Sequence, residues 1–233
     1  MAGCALAPRE SSVRLPGGLS MSADSVVLAS GSPRRTELLS QLGVEHEVAP
    51  ANIDETPEPF EAALTYVQRM ARAKAAASVA QLVRGQLTLS EDNNRLADDK
   101  IVLAADTIVI VDGAILGKPR DEQDGLGMLA RLSGRSHQVA TAVCLRRSVR
   151  QASVCVRTEV SFRSVSLQEA RGYWASGEPR DKAGGYGIQG VASAFVNKID
   201  GSYSSVIGLP LVETRALLLA MGYDFKARGP ELS

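Results

Sequence analysis

Asp106 stands inside one of the most apolar stretches of the chain, Val102-Leu103-Ala104-Ala105-Asp106-Thr107-Ile108-Val109-Ile110-Val111. An unpaired carboxylate is costly to bury, so this one needs a cation, a metal or hydrogen bonds. It is either a structural aspartate satisfied by backbone amides or a carboxylate that organises a metal-bound or base-activated water; the residues alone leave both open. Lys74 lies on the same side of a long helical pattern as Leu64, Val67, Met70 and Ala71, where it either snorkels to solvent or meets a buried anion. Lys118, in Gly117-Lys118-Pro119, is a second cation placed to touch phosphate. In Ser30-Gly31-Ser32-Pro33-Arg34-Arg35 a small turn opens a helix. Free N–H groups and the helix dipole favour an anion there, and two hydroxyls and two guanidiniums add donors. Adjacent arginines in a first turn, where the dipole prefers acids, tilt this from a plain capped helix towards an anion site.

Other local patterns carry less. Gly113 to Lys118 is one residue short of a Walker loop, and Pro119 stands where that loop needs a hydroxyl. Gly185-Tyr186-Gly187-Ile188-Gln189-Gly190 matches G-x-G-x-x-G in letters. The helix lies before it and the strand after, the reverse of a dinucleotide site. His46 and His137 have no serine or cysteine arrangement suited to a catalytic triad. Cys4, Cys144 and Cys155 lack metal-ligand spacing and read as free thiols.

The elements that would position these residues follow from periodicity and punctuation. A short apolar strand over 25–30 leads into a helix framed by Ser32 as N-cap, Pro33 and Gly43. A second strand near 44–48 precedes an acidic, proline-punctuated loop over 52–59 and a long helix over 59–83. The polar segment 84–100 is a loop, and 101–111 is a buried strand with a hairpin turn at Asp112-Gly113 returning through 114–116. A helix over 121–132 is followed by two strands with period-two alternation, one from Val139 to Leu145 and one from Val154 to Phe162. Ser166 and Glu169 form a capping box for a helix ending at Gly177. A glycine-rich loop over 178–190, a strand over 191–199 and a helix over 210–221 complete the chain. Helices and strands alternate without a break in pattern, which predicts one α/β domain over 23–226, with tails at 1–22 and 227–233.

Composition narrows the partners. Lys plus Arg and Asp plus Glu both number 26, so no net field draws the chain to nucleic acid or to an anionic membrane. An anion site must be built locally. No apolar run is long enough for a membrane helix, and the first twenty residues lack the apolar core of a secretory signal, so a cytoplasmic protein is expected. Met21, just before the first strand, is a candidate start.

Taken in order, Leu28-Ala29-Ser30-Gly31-Ser32-Pro33-Arg34-Arg35, Ala105-Asp106-Thr107, Gly117-Lys118-Pro119, Leu132-Ser133-Gly134 with His137, and Glu178-Pro179-x-Asp181-Lys182-Ala183-Gly184 through Gln189-Gly190 resemble the Maf family of nucleotide pyrophosphatases. The resemblance runs from about Val26 to Gly222. It implies a Maf/inosine-triphosphatase-like α/β fold, a mixed sheet flanked by helices with two lobes around a central cleft, in a protein that is often a homodimer. It implies hydrolysis of a nucleoside triphosphate to monophosphate and pyrophosphate with a divalent metal, Mg²⁺ or Mn²⁺. Carried over by motif, Asp106 is the proton acceptor, Glu55 and Asp106 hold metal, and Ser30, Ser32, Arg35, Lys74 and Lys118 bind phosphate. Arg34, Thr107 and Gln189 match the positions that select substrate in the dTTP/UTP branch. The alternatives are a 7-methyl-GTP or non-canonical purine pyrophosphatase of the same fold, and a non-enzymatic, nucleotide-binding regulator of cell division. An aromatic in place of Arg34 and loss of the Gly-Ile-Gln-Gly run would mark the 7-methyl-GTP branch. The segment 84–100 is longer than the family pattern.

Overall fold

The central strand of the molecule is the run that contains Asp106. In the computed structural model, which describes residues 26–85 and 100–225, it forms β3 (Ile101–Val111), and six further strands build a seven-stranded mixed sheet around it. The other strands are β1 (Val26–Leu28), β2 (His46–Val48), β4 (Ala114–Leu116), β5 (Ser136–Arg147), β6 (Arg150–Phe162) and β7 (Val196–Asp200). The order is β2-β1-β3-β5-β6-β7, with β4 also paired to β3. The expected tails, Met21 and most of the 84–100 loop lie outside the described residues.

Alternation along β3 sorts its side chains between two cores. Ile101, Leu103, Ala105, Val109 and Val111 join the core under helices α1 (Pro33–Gln41), α3 (Glu122–Leu132), α4 (Leu167–Ala175) and α6 (Leu211–Ala220). Val102, Ala104 and Ile108 join the core under α2 (Ala63–Val83), beside its Val67, Met70, Ala71 and Ala75. The period of two therefore sends Asp106 towards α2 and Thr107 towards α1.

Strand pairing leaves a gap at this point. β1 is parallel to β3 and pairs with 101–103, while β4 is antiparallel and pairs with 109–111 on the same flank. No described strand covers 104–108 on that side. Both β1 and β4 run towards the gap, so their following loops, one carrying Ser30 to Arg35 and the other Gly117-Lys118, meet above Asp106. The chain goes from β1 through α1 to β2 on one side, then crosses through α2 to β3 on the other. A ligand crevice forms at such a reversal, outside the carboxyl ends of the strands.

Several elements differ from the sequence expectation. The strand expected over 191–199 starts only at Val196, because Val191–Phe195 winds into a 3-10 turn that buries Ala192 and Phe195. Helix α5 (Tyr203–Ile207) was not foreseen: five residues, two of them serines, carry no readable period. Helix α2 begins at Ala63 rather than 59, after Phe60 adopts φ 61°. The Asp112-Gly113 turn has φ of 52° and 73°, as a tight hairpin of this type requires.

Candidate active site

The gap beside 104–108 is the floor of a cleft of about 990 Å³. Ser30, Ser32, Arg34, Arg35, Glu55, Lys74, Asp106, Thr107, Lys118 and Gln189 all line it. These residues come from six separate places in the chain, so the fold, not local sequence, brings them together.

Asp106 is 8% exposed, and its Oδ1 accepts a hydrogen bond from Lys74 Nζ at 2.7 Å. Lys74, on the buried face of α2, also reaches Glu55 Oε1 at 2.9 Å. The choice left open for Lys74 resolves towards the buried anion. One ammonium holds two carboxylates, which leaves Asp106 Oδ2 as the oxygen free to meet a ligand or water. Glu55 is held from the other side, since Tyr66 Oη donates to its carbonyl at 2.8 Å. Burial pushes the Tyr66 phenol up to about 12, and the nearby Asp106 and Glu55 charges add to the shift, so it remains a donor. Arg69 pins the rest of that loop through Glu61 and the Thr56 carbonyl.

Arg35 is fixed by three acceptors: Nε donates to the Gly208 carbonyl at 2.9 Å, NH1 to Ser30 Oγ at 2.9 Å and NH2 to Thr107 Oγ1 at 3.1 Å. The remaining N–H groups of its fork are uncommitted. Burial lowers its pKa from the ordinary value, and the Asp106 charge opposes that shift. Among the described residues neither Arg35 nor Lys118 forms an ion pair, so both cations are available to an anion in the cleft. Thr107, expected to select substrate, is spent on structure as well: its Oγ1 meets Thr141 Oγ1 at 2.9 Å and, with Arg35, braces the guanidinium.

Ser32 occupies the N-cap of α1, but its side chain makes no capping bond, contrary to expectation. Its amide donates instead to Ser30 Oγ at 3.3 Å, and the first turn of α1 contains no acid. The helix end is thus left open towards the cleft, as an anion site would need.

On the opposite rim Gln189 is exposed, and Arg34 NH1 stands 3.8 Å from Asp181 Oδ2. Burial would raise the Asp181 pKa, but the Lys182 hydrogen bond and the Lys182 and Arg34 charges hold it below the usual carboxylate range. Asp181, Lys182, Glu178 and Tyr66 also line the cleft, and sequence reasoning gave none of them a role. The dense charge of Glu178-Pro179-Arg180-Asp181-Lys182 beside glycines was the available signal.

His137 supports the rim from below. It is 3% exposed, and its Nε2 lies 2.8 Å from Tyr186 Oη, whose residue lines the cleft. Burial drops its pKa to about 4. The fold therefore holds neutral imidazole, and stability should decline as pH falls from about 6.5 to about 4, by roughly 3 kcal/mol from this residue. Urea unfolding across that range should show a steeper loss for the native chain than for His137→Gln; equal slopes would contradict it.

The donor set also bears on metal. Among the described residues no group of three or more His, Cys, Asp and Glu forms a self-contained metal cage. Glu55 and Asp106 nonetheless present two carboxylates side by side on Lys74, and Mg²⁺ is commonly held by one or two carboxylates together with substrate phosphates. The residues fit that mode.

Fold and cleft together define an α/β protein with a crevice, lined by Arg34, Arg35, Lys74 and Lys118, where its β1 and β4 strands end against β3. The chain belongs to the Maf-like protein family, whose model matches residues 25–221. It is 52% identical over 194 residues to curated proteins of Shigella sonnei (strain Ss046) and Escherichia coli O157:H7, each named dTTP/UTP pyrophosphatase. The match covers 83% of this chain and 91% of each relative. Among solved structures, the Staphylococcus aureus Ham1 protein aligns with a TM-score of 0.36 and 11% identity, over 60% of this chain and 72% of that one. That likeness is too remote to bear on the site. No helix among the described residues is long and apolar enough to cross a membrane.

Proposed function

We propose that this chain hydrolyses nucleoside triphosphates, dTTP and UTP foremost, to the monophosphate and pyrophosphate. The observation that carries the reading is the Lys74-bridged pair of carboxylates, Asp106 and Glu55, facing across one cleft the cations Arg35 and Lys118, which have no ion-pair partner among the described residues. The identity to dTTP/UTP pyrophosphatases over most of the chain supports the substrate class.

In this account Asp106 orients the attacking water at the α-phosphorus and takes its proton on Oδ2, because Oδ1 is already bonded to Lys74. Lys74 keeps both carboxylates in place. Arg35, preset by Ser30, Thr107 and Gly208, and Lys118 bind the departing pyrophosphate and stabilise its charge. The open end of α1, with Ser30 and Ser32, cradles phosphate oxygens. Mg²⁺ or Mn²⁺ held by Glu55 and Asp106 with phosphate oxygens would supply polarisation of the phosphoryl group and charge neutralisation.

Arg34, Thr107 and Gln189 are the substrate-selecting positions in this reading. A glutamine amide offers a donor and an acceptor to a pyrimidine edge, and a site built on such pairs rejects bases that leave it unpaired. Gln189→Ala should lower the preference for dTTP over purine triphosphates in kcat/KM, by about 1–3 kcal/mol, the weight of one bidentate contact to a base. Pyrophosphate release across a nucleotide panel measures this. An unchanged preference removes Gln189 from base selection, and no release from any triphosphate overturns the hydrolase reading.

A further inference from the structure

The segment 187–191 carries Gln189 on the rim of the cleft, yet 187–190 belong to no helix or strand ladder, and only Val191 enters the 3-10 turn that follows. Its own backbone contributes one tight contact, Gly190 N to the Gly187 carbonyl at 3.1 Å. What fixes its two ends is a pair of side chains from outside. Gly187 N–H donates to Tyr173 Oη at 3.0 Å, Tyr173 O–H donates to Glu178 Oε1 at 2.8 Å, and Val191 N–H donates to Glu178 Oε2 at 3.0 Å. The chain of bonds runs from one end of the segment to the other and closes it as a loop. The directions are consistent: the carboxylate only accepts, and the phenol accepts from Gly187 while donating to Glu178.

The glycines make room for this arrangement. A Cβ at Gly190 would collide with the Glu178 carboxylate, and a Cβ at Gly187 would lie 2.6 Å from Lys182 Cε. Lys182 in turn donates from Nζ to the Glu178 carbonyl at 2.7 Å, fixing the backbone from which the carboxylate extends. Tyr173 is 2% exposed and packs edge-on against Phe195 at 5.4 Å between centroids, so the phenol sits on a rigid base. Burial raises its pKa well above the ordinary phenol value, which keeps it a donor.

We propose that Glu178 and Tyr173 are positioning residues for base selection, a staple that holds the 187–191 loop so that Gln189 meets the nucleobase at a fixed height. The inference rests on the reading of Gln189 as a base contact. Neither residue acts on phosphate in this account. Its signature is therefore a change in base discrimination without a change in phosphate affinity.

The test compares Tyr173→Phe, Glu178→Gln, the double variant and Gln189→Ala in the full chain. Each is measured for kcat/KM with dTTP and dATP and for inhibition by inorganic triphosphate, with thermal unfolding as the control on folding. Glu178→Gln keeps the shape but turns one acceptor into a donor facing a donor. Both single variants should cut the dTTP-to-dATP preference about 10-fold, the weight of one or two hydrogen bonds to a charged acceptor, chiefly through KM for dTTP. Inhibition by inorganic triphosphate should stay within about 2-fold, because the phosphate cradle is built elsewhere. The double variant should be no worse than the worse single, since either cut opens the same staple. Equal loss with both nucleotides and with triphosphate, or an unchanged preference in Tyr173→Phe, overturns the proposal. If Tyr173→Phe loses preference while Gln189→Ala does not, the staple stands and the role of Gln189 falls. If only Gln189→Ala loses preference, the base contact stands and the staple falls. Tyr173→Phe retains the buried ring, so it decides the matter even if Glu178→Gln does not fold.

Discussion

Asp106→Asn should lower kcat on the order of 10³-fold while the protein remains folded, the scale expected for loss of a positioned general base. The asparagine keeps the side-chain shape, and its Oδ1 can still accept from Lys74, which in the native site lies at 2.7 Å. The ammonium is not stranded either, because Glu55 Oε1 holds it at 2.9 Å. Stability should therefore change little. With Mg²⁺ raised until a weakened metal site no longer limits, removing a negative charge from a cleft that takes a polyanion should leave KM unchanged or lower it, so the defect belongs in kcat. Steady-state kinetics with dTTP, alongside thermal unfolding, checks both halves. Turnover within a few-fold of native would remove Asp106 from the chemistry and return it to the structural reading.

Lys74→Met should fail in a different way, losing both stability and activity. Asp106 is 8% exposed, and this substitution leaves it without its directly bonded cation. Breaking a buried pair from one side costs about 3–5 kcal/mol. The lower end applies here, because Glu55 is more than half exposed and can turn to water, and the Arg35 charge still acts on Asp106. A drop of about 3 kcal/mol corresponds to a melting shift on the order of 10 °C for a chain of this size. The double variant Lys74→Met with Asp106→Asn removes the stranded charge, so it should recover much of the stability and none of the activity. Urea unfolding of the three variants decides it: a single Lys74→Met as stable as the native chain would mean the pair does not hold the floor of the cleft together.

The parts of this structure that the sequence announces are those encoded by neighbours. Asp112-Gly113 needs only two positive φ angles to make its turn, and Ser166 with Glu169 completes its own capping box within four residues. The alternation of β6 is legible because Thr158, Val160 and Phe162 bury one face. β5 is buried on both faces over 139–145 and alternates because large Val139, Val143 and Leu145 fill one core while small Ala140, Ala142 and Cys144 lie under α2. Asp106 and Lys74 stand out for the opposite reason, each being a charge where the local pattern demands an apolar residue. That they meet, and that Glu55 joins them, is a consequence of α2 crossing over β3.

What stays hidden depends on tertiary contacts. The apolar alternation in Val191-Ala192-Ser193-Ala194-Phe195 imitates a strand, but those residues turn to place Ala192 and Phe195 in the core. Ser32 has the identity of a capping residue and does not cap. Thr107 looks like a cleft residue and is one, yet its hydroxyl is committed to Arg35 and Thr141, partners far away in sequence. Glu178 is the clearest case. Its carboxylate reaches both backward to Tyr173 and forward to Val191, and the only local trace of this is the pair of glycines that leave it space.

Hydrolysis of dTTP in ¹⁸O-enriched water, with products resolved by ³¹P NMR and mass spectrometry, addresses the central claim most directly. The arrangement of Asp106 against the Arg35 and Lys118 cations predicts dTMP and pyrophosphate as products, with the label on the dTMP phosphate. Label in the pyrophosphate would place the attack on the β-phosphorus, and release of dTDP with inorganic phosphate would place it on the γ-phosphorus. Either result would contradict the account.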